Sequence, residues 1–149
     1  MKWIDIPPVW LAGALVIAWQ TSVLRPFRLS LDTPLTQLLG GLLVGGGLVL
    51  MLLAVTEMRK RQTTVVPHRE AQSLVTTGIF KRSRNPIYLG DAMVLAGLIL
   101  NWDAVLSLPL VPIFVWWIER HFIVGEESRL RRKFRADFAR YCEKTRRWV

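Results

Sequence analysis

Cysteine occurs once in this chain, at Cys142. No intramolecular disulfide can form, which fits a reducing compartment. Histidine occurs twice, at His68 and His121, and neither sits in a CxxC, HExxH or similar ligand spacing. No metal site is expected from so thin a ligand set. The phosphate-cradling loops are missing too: there is no G-x-x-x-x-G-K-S/T, and no G-x-G-x-x-G followed by an acidic residue. Acidic side chains are the minority, 11 against 20 Lys and Arg, which leaves a formal charge of +9. That excess invites a nucleic-acid reading. The same chain is 52% hydrophobic with a mean hydropathy of +0.31. Its apolar runs reach spanning length, so its partner is the lipid bilayer and no nucleic acid is expected.

Four apolar segments stand between the charges, at about residues 6–24, 34–56, 87–100 and 104–124. Together they predict a single all-α integral-membrane domain over residues 1–149. The first segment could pass for a signal peptide. However, Pro7 and Pro8 open it, Lys2 is its whole positive flank, and no small-residue cleavage site follows, so it reads as a retained helix. Gly40, Gly41, Gly45, Gly46 and Gly47 crowd the second. Small residues let helices approach closely in a membrane, either inside the bundle or across a dimer; the oligomeric state is open. Segments three and four are separated by Asn101, Trp102 and Asp103, which predicts a tight hairpin with Asp103 as N-cap of the return helix. Segment three is short for a span, so it tilts or turns within the interface. Pro109 and Pro112 are expected to kink segment four near its start.

The charges set the expected topology. Loop 57–86 carries Arg59, Lys60, Arg61, Arg69, Lys81, Arg82 and Arg84, and the tail 125–148 carries nine more Lys and Arg. By the positive-inside rule both face the cytoplasm, and four spans place the N-terminus there as well. In the tail, Leu130, Phe134, Phe138, Tyr141 and Trp148 recur at roughly helical spacing between arginines, which predicts a basic amphipathic helix against the membrane surface or the bundle. Binding to anionic lipid would account for most of its arginines but not for Glu126 and Glu127 at its start.

The stretch KRSRNPIYLGD, residues 81–91, is the most unusual. Asn85 and Pro86 suit an N-cap and first helical position. Arg82 and Arg84 suit interface anchors, and Tyr88 an interfacial aromatic. With TTVVPHREAQSLVTTGIFKRSRNPIYLGD before an apolar hairpin and EESRLRRKFRADFARYCEKTRRW after it, the chain resembles the isoprenylcysteine carboxyl methyltransferase and phospholipid methyltransferase superfamily of integral-membrane enzymes. The shared pattern is a Leu-Val-x-x-Gly-x-Tyr run, an Arg-His/Asn-Pro-x-Tyr-x-Gly box and a Glu-Glu-x-x-Leu-x-x-x-Phe-Gly-x-x-Tyr-x-x-Tyr tail, and the likeness covers about residues 63–148.

The resemblance implies S-adenosyl-L-methionine as methyl donor and a cytoplasmic pocket made by the long loop, the start of helix three and the tail. It implies Gln72, Leu74, Val75 and Phe80 as donor-binding residues from the loop. Asn85, Pro86, Tyr88 and Gly90 would contribute from the box, and Glu126 and Glu127 from the tail. Free amides at a helix start suit a carboxylate, paired acids suit an ammonium or ribose hydroxyls, and Gly90 would let backbone and ligand approach. Glu119, Arg120 and Glu127 are the candidate catalytic groups. Arg120 would orient an anionic acceptor and Glu119 or His121 would handle a proton. Asp91 ranks behind them as an acid inside a membrane helix. The implied acceptor is hydrophobic or membrane-delivered: a prenylated thiol or carboxylate, a lipid headgroup amine, or a small thiol. The chain departs from the pattern at Phe80 and Phe138, where the family has tyrosine, and at Arg135, where it has glycine. Asn85 stands where eukaryotic members have histidine, which suggests the bacterial branch and an inner-membrane location. A non-catalytic adaptor binding anionic lipid or partner helices is the competing reading.

Overall fold

A computed structural model describes residues 4–24, 30–63 and 73–149. Its regular structure among those residues is helical throughout. Helix α1 spans Pro7–Leu24, α2 Pro34–Lys60, α3 Pro86–Asn101, α4 Leu110–Ile118, α5 Val124–Phe134 and α6 Ala136–Lys144. Short 3₁₀ turns lie at Gly78–Lys81 and Val105–Ser107, and a π turn at Glu119–Ile123 joins α4 to α5 without a break. Pro7–Leu24, Pro34–Lys60 and Val105–Phe134 are long and apolar enough to cross a bilayer, and α3 is a shorter apolar helix. The chain is an integral membrane protein.

Local chemistry sets the helix starts. Thr33 caps α2 through a reciprocal box: its hydroxyl accepts from the Thr36 amide at 3.1 Å, and the Thr36 hydroxyl accepts from the Thr33 amide at 2.9 Å. Pro34 follows at the first helical position. The helix then runs one turn beyond the apolar segment to Lys60, with Arg59 and Lys60 at its negative dipole end.

Helix α3 is central. Its 16 residues rise only about 24 Å, yet Tyr88, Gly90, Asp91, Ala92, Val94, Leu95, Gly97 and Ile99 are all buried. α2 packs antiparallel along one side, and α1 and α4 along others. Glycines bring α2 and α3 together. A methyl group added at Gly47 would lie 2.6 Å from the Gly90 carbonyl oxygen, and one added at Gly90 would lie 2.7 Å from that of Gly47. Seven residues along, Gly40 and Gly97 face each other in the same way, at 2.7 and 2.5 Å. Gly41 and Gly45 meet nothing within 4 Å. Part of the glycine crowding therefore serves packing inside the bundle. The opposite faces of α1 and α2 expose Trp19, Leu24, Leu35, Leu42 and Leu52, as lipid-facing surfaces do.

Three expectations are corrected. Asp103 does not cap the return helix. It sits at φ +56° in the hairpin, and its carboxylate accepts from the Ser30 hydroxyl at 2.6 Å and the Leu31 amide at 2.7 Å. It ties the hairpin to the segment that leads into α2. Segment four is broken rather than kinked, with the Val105–Ser107 turn ahead of Pro109 and α4 starting at Leu110. A proline lacks the amide that a continuous helix would need there. The tail is two helices, because Arg135 adopts φ +46°, ψ −113° between α5 and α6. Their apolar face, with Leu130, Phe134, Phe138 and Tyr141, packs on the bundle against Ala54, Val75 and Phe80.

Two predictions follow from backbone geometry. Gly47→Ala and Gly97→Ala should each cost about 1–3 kcal/mol through overpacking, whereas Gly45→Ala should be neutral, as read by thermal unfolding in detergent. Arg135 occupies a region of backbone space that favours glycine. Arg135→Gly should raise stability by about 1 kcal/mol in the same assay, at the low end of such strain.

Candidate functional site

A cavity of about 400 Å³ opens where the loop, the start of α3 and α5 converge. That volume is within the range of small-molecule sites. Its walls come from Leu74, Val75 and Phe80 of the loop and from Asn85, Pro86, Tyr88 and Asp91 of α3 and its cap. Glu126, Glu127, Arg129 and Lys133 of α5, Met51 and Val55 of α2, and Pro7 and Pro8 of α1 also line it.

The loop wall is fixed from below. Phe80 is buried in the 3₁₀ turn, and its carbonyl accepts a hydrogen bond from the Tyr141 hydroxyl at 2.7 Å. Burial raises the Tyr141 phenol above its ordinary range, so it remains a neutral donor. The Thr77 hydroxyl donates to Glu57 at the end of α2. Gly78, at φ +61°, lies against the same carboxylate, where a Cβ would come within 2.8 Å of Glu57 Oε2.

The wall that begins α3 is held by the end of the chain. The Arg84 amide donates to the Arg146 carbonyl at 3.0 Å, and Asn85 Nδ2 donates to the Arg147 carbonyl at 3.0 Å. Asn85 occupies the N-cap position, but its side chain makes no capping bond. Its amide is spent on the tail instead. One turn on, the Tyr88 hydroxyl donates to Glu126 Oε1 at 2.6 Å, linking α3 to α5.

Arg147 organises the acids. Its guanidinium donates to Glu127 through Nε at 2.9 Å and Nη2 at 2.7 Å, and to Glu119 through Nη1 at 2.9 Å. Trp148 Nε1 donates to the other Glu119 oxygen at 2.9 Å, and Arg84 Nη1 lies 3.5 Å from Glu127. Hydrogen bonding to Glu127 above all raises the Arg147 pKa further, so this cation is permanent. The π turn begins at Glu119 and leads into α5, which carries the Glu126–Glu127 pair. Such bulges often mark functional sites.

The predicted site residues therefore divide. Leu74, Val75, Phe80, Asn85, Pro86, Tyr88, Glu126 and Glu127 line one cavity. Gly90 does not; it faces Gly47 and serves helix packing. Gln72 lies outside the described residues. Glu119 and Arg120 are not in the cavity wall: Glu119 is held by Arg147 and Trp148, and Arg120 is exposed. His121 lies on another face, with Nε2 2.7 Å from Asp5 Oδ1 and its ring stacked on Trp117 at 4.9 Å. Sequence reasoning missed Thr63, Arg84 and Arg147 as site residues. Thr63 Oγ1 and Arg84 Nε are buried without a hydrogen-bond partner among the described residues, and both residues line the cavity. Unpaired buried polar atoms are costly and rare, which points to a ligand as their partner. Among the described residues no three His, Cys, Asp or Glu side chains are grouped to hold a metal.

A family model described as phospholipid methyltransferase matches residues 35–137. Comparisons with curated proteins and with solved structures find no match. The matched span covers more than half of the chain, from the start of α2 through the Asn85–Tyr88 box, the hairpin and the Glu126–Glu127 pair into α6. The chain belongs to the phospholipid methyltransferase family.

Proposed function

We propose that this protein is a membrane methyltransferase whose donor, S-adenosylmethionine, binds in the cavity between the loop, α3 and α5. The observation that carries the reading is the pair of unpartnered buried groups, Thr63 Oγ1 and Arg84 Nε, in the wall that also holds Asn85, Tyr88 and Glu126. An amino-acid carboxylate suits Arg84 Nε and the first turn of α3. Glu126, oriented by Tyr88, suits the ammonium or the ribose hydroxyls. Leu74, Val75 and Phe80 offer an apolar enclosure for an adenine. The donor supplies a methyl carbon made electrophilic by a sulfonium.

Methyl transfer asks the protein mainly for alignment in a dry site. The helix–helix and tail contacts supply that by fixing three walls against each other. Glu127 and Glu119, clamped by Arg147, are read as positioning groups that hold α5 and the tail. The acceptor is a hydrophobic or membrane-delivered molecule that reaches the apolar side of the cavity from the bilayer. In this reading the donor side faces the cytoplasm of a bacterial inner membrane and the whole chain acts as one domain; the basic loop and tail support the orientation.

Isothermal titration of the detergent-purified protein with S-adenosylhomocysteine is the test. Binding is expected. Tyr88→Ala and Glu126→Gln should each weaken it about tenfold or more, as loss of a hydrogen bond to a charged group does, with circular dichroism unchanged. A folded native protein that does not bind would favour a lipid- or protein-binding adaptor in its place.

A further inference from the structure

One acid of the cavity wall has no role in this reading. Asp91 is 5% exposed, lines the cavity, and has no hydrogen-bond or ion-pair partner among the described residues. The other acids of the wall are engaged, Glu126 by Tyr88 and Glu127 by Arg147 and Arg84. A buried acid in a membrane helix without a partner is costly, and it marks a functional pathway by default.

Its position says which pathway. Asp91 follows Tyr88 by three residues, so the two share a face of α3. It lies about 9 Å along the helix axis from Asn85, away from the loop. The polar groups that suit the donor, Thr63, Arg84, Asn85 and Glu126, gather at the loop end. Beside Asp91 the neighbouring wall is apolar, with Met51 of α2 packed on Gly90. A polar donor entering from the loop fills the first region. A lipid-soluble acceptor entering from the bilayer meets the second, and Asp91 is the ionisable group waiting there.

We propose that Asp91 is the acceptor-side carboxylate of this cavity: it takes the proton released when an amine or hydroxyl acceptor is methylated, and it repels acceptors that arrive as anions. The proposal rests on the methyltransferase reading above and narrows it. During transfer the acceptor nitrogen or oxygen bonds the methyl carbon. The carbon–sulfur bond breaks and its electron pair stays on sulfur, discharging the sulfonium. The displaced proton passes to an Asp91 oxygen and leaves to solvent when the products do. A carboxylate or thiolate acceptor has no proton to give and would bring a like charge to Asp91 in a medium of low dielectric.

The test uses the full chain in detergent, saturated with S-adenosylhomocysteine and treated with dicyclohexylcarbodiimide, which adds covalently to carboxyl groups in apolar sites. Peptide mass spectrometry should find the adduct on Asp91. Dodecylamine at about ten times its Kd should slow that labelling about tenfold, and dodecanoate should not. Asp91→Asn should lose the adduct and keep native affinity for S-adenosylhomocysteine. No adduct on Asp91, or equal protection by dodecanoate, would overturn the proposal. Weakened S-adenosylhomocysteine binding in a folded Asp91→Asn protein would also overturn it, by moving Asp91 to the donor side. Failure of the native protein to bind S-adenosylhomocysteine is a separate result, which removes the methyltransferase reading and this proposal with it.

Discussion

The near-contact of α2 and α3 at Gly47–Gly90 and Gly40–Gly97 is the constraint on which the rest of the molecule depends. In a bilayer the hydrophobic effect does not drive helices together, so close packing must. Two glycine pairs seven residues apart let the backbones touch over two turns. That contact buries one side of α3, packs Met51 on Gly90, and leaves Met51, Val55, Tyr88 and Asp91 lining one cavity. A helix too short to span comfortably can then be the centre of the bundle, since protein encloses it on most sides.

A second constraint closes the site from the tail. The chain returns from α6 to lay Arg146 and Arg147 along the start of α3, where their carbonyls accept from Arg84 and Asn85. The Arg147 side chain meanwhile spans Glu119 and Glu127 across the π turn. One residue thus holds the start of α3, Glu119 and Glu127 in a single frame. Its fork geometry suits two carboxylates in a way that the point charge of a lysine would not. The cost of gathering acids in a partly buried place is offset by that permanent cation.

Much of the cavity lining is legible in the sequence. Asn85, Pro86, Tyr88, Glu126 and Glu127 stand out because polar residues at the edge of an apolar run need a reason to be there. Their reasons are less legible. Asn85 looks like a cap and instead binds the tail, because the tail carbonyl is within its reach and the cap amide is not its partner. Gly90 looks like a place for a ligand and instead serves a helix contact. Glu127 looks free to bind and is occupied by Arg147, a residue set among other arginines with nothing in its spacing to single it out. Arg135 is the reverse case: the departure from a family glycine was visible in the sequence, and the backbone there does adopt a glycine-like conformation.

The sequence by itself determined the class of molecule. Apolar runs of spanning length, capping residues and the distribution of charge are local properties, and they are enough to specify membrane helices, their approximate ends and the family box. Only the tertiary structure decided which polar groups pair. Pairing depends on distances between residues far apart in the chain, such as Tyr88 with Glu126 or Asp103 with Leu31, and no spacing rule encodes those distances. The break in the tail and the lack of a partner for Asp91 among the described residues belong to the same category. The first follows from a single backbone angle and the second from which neighbours fail to arrive, and both emerge only when the helices have packed.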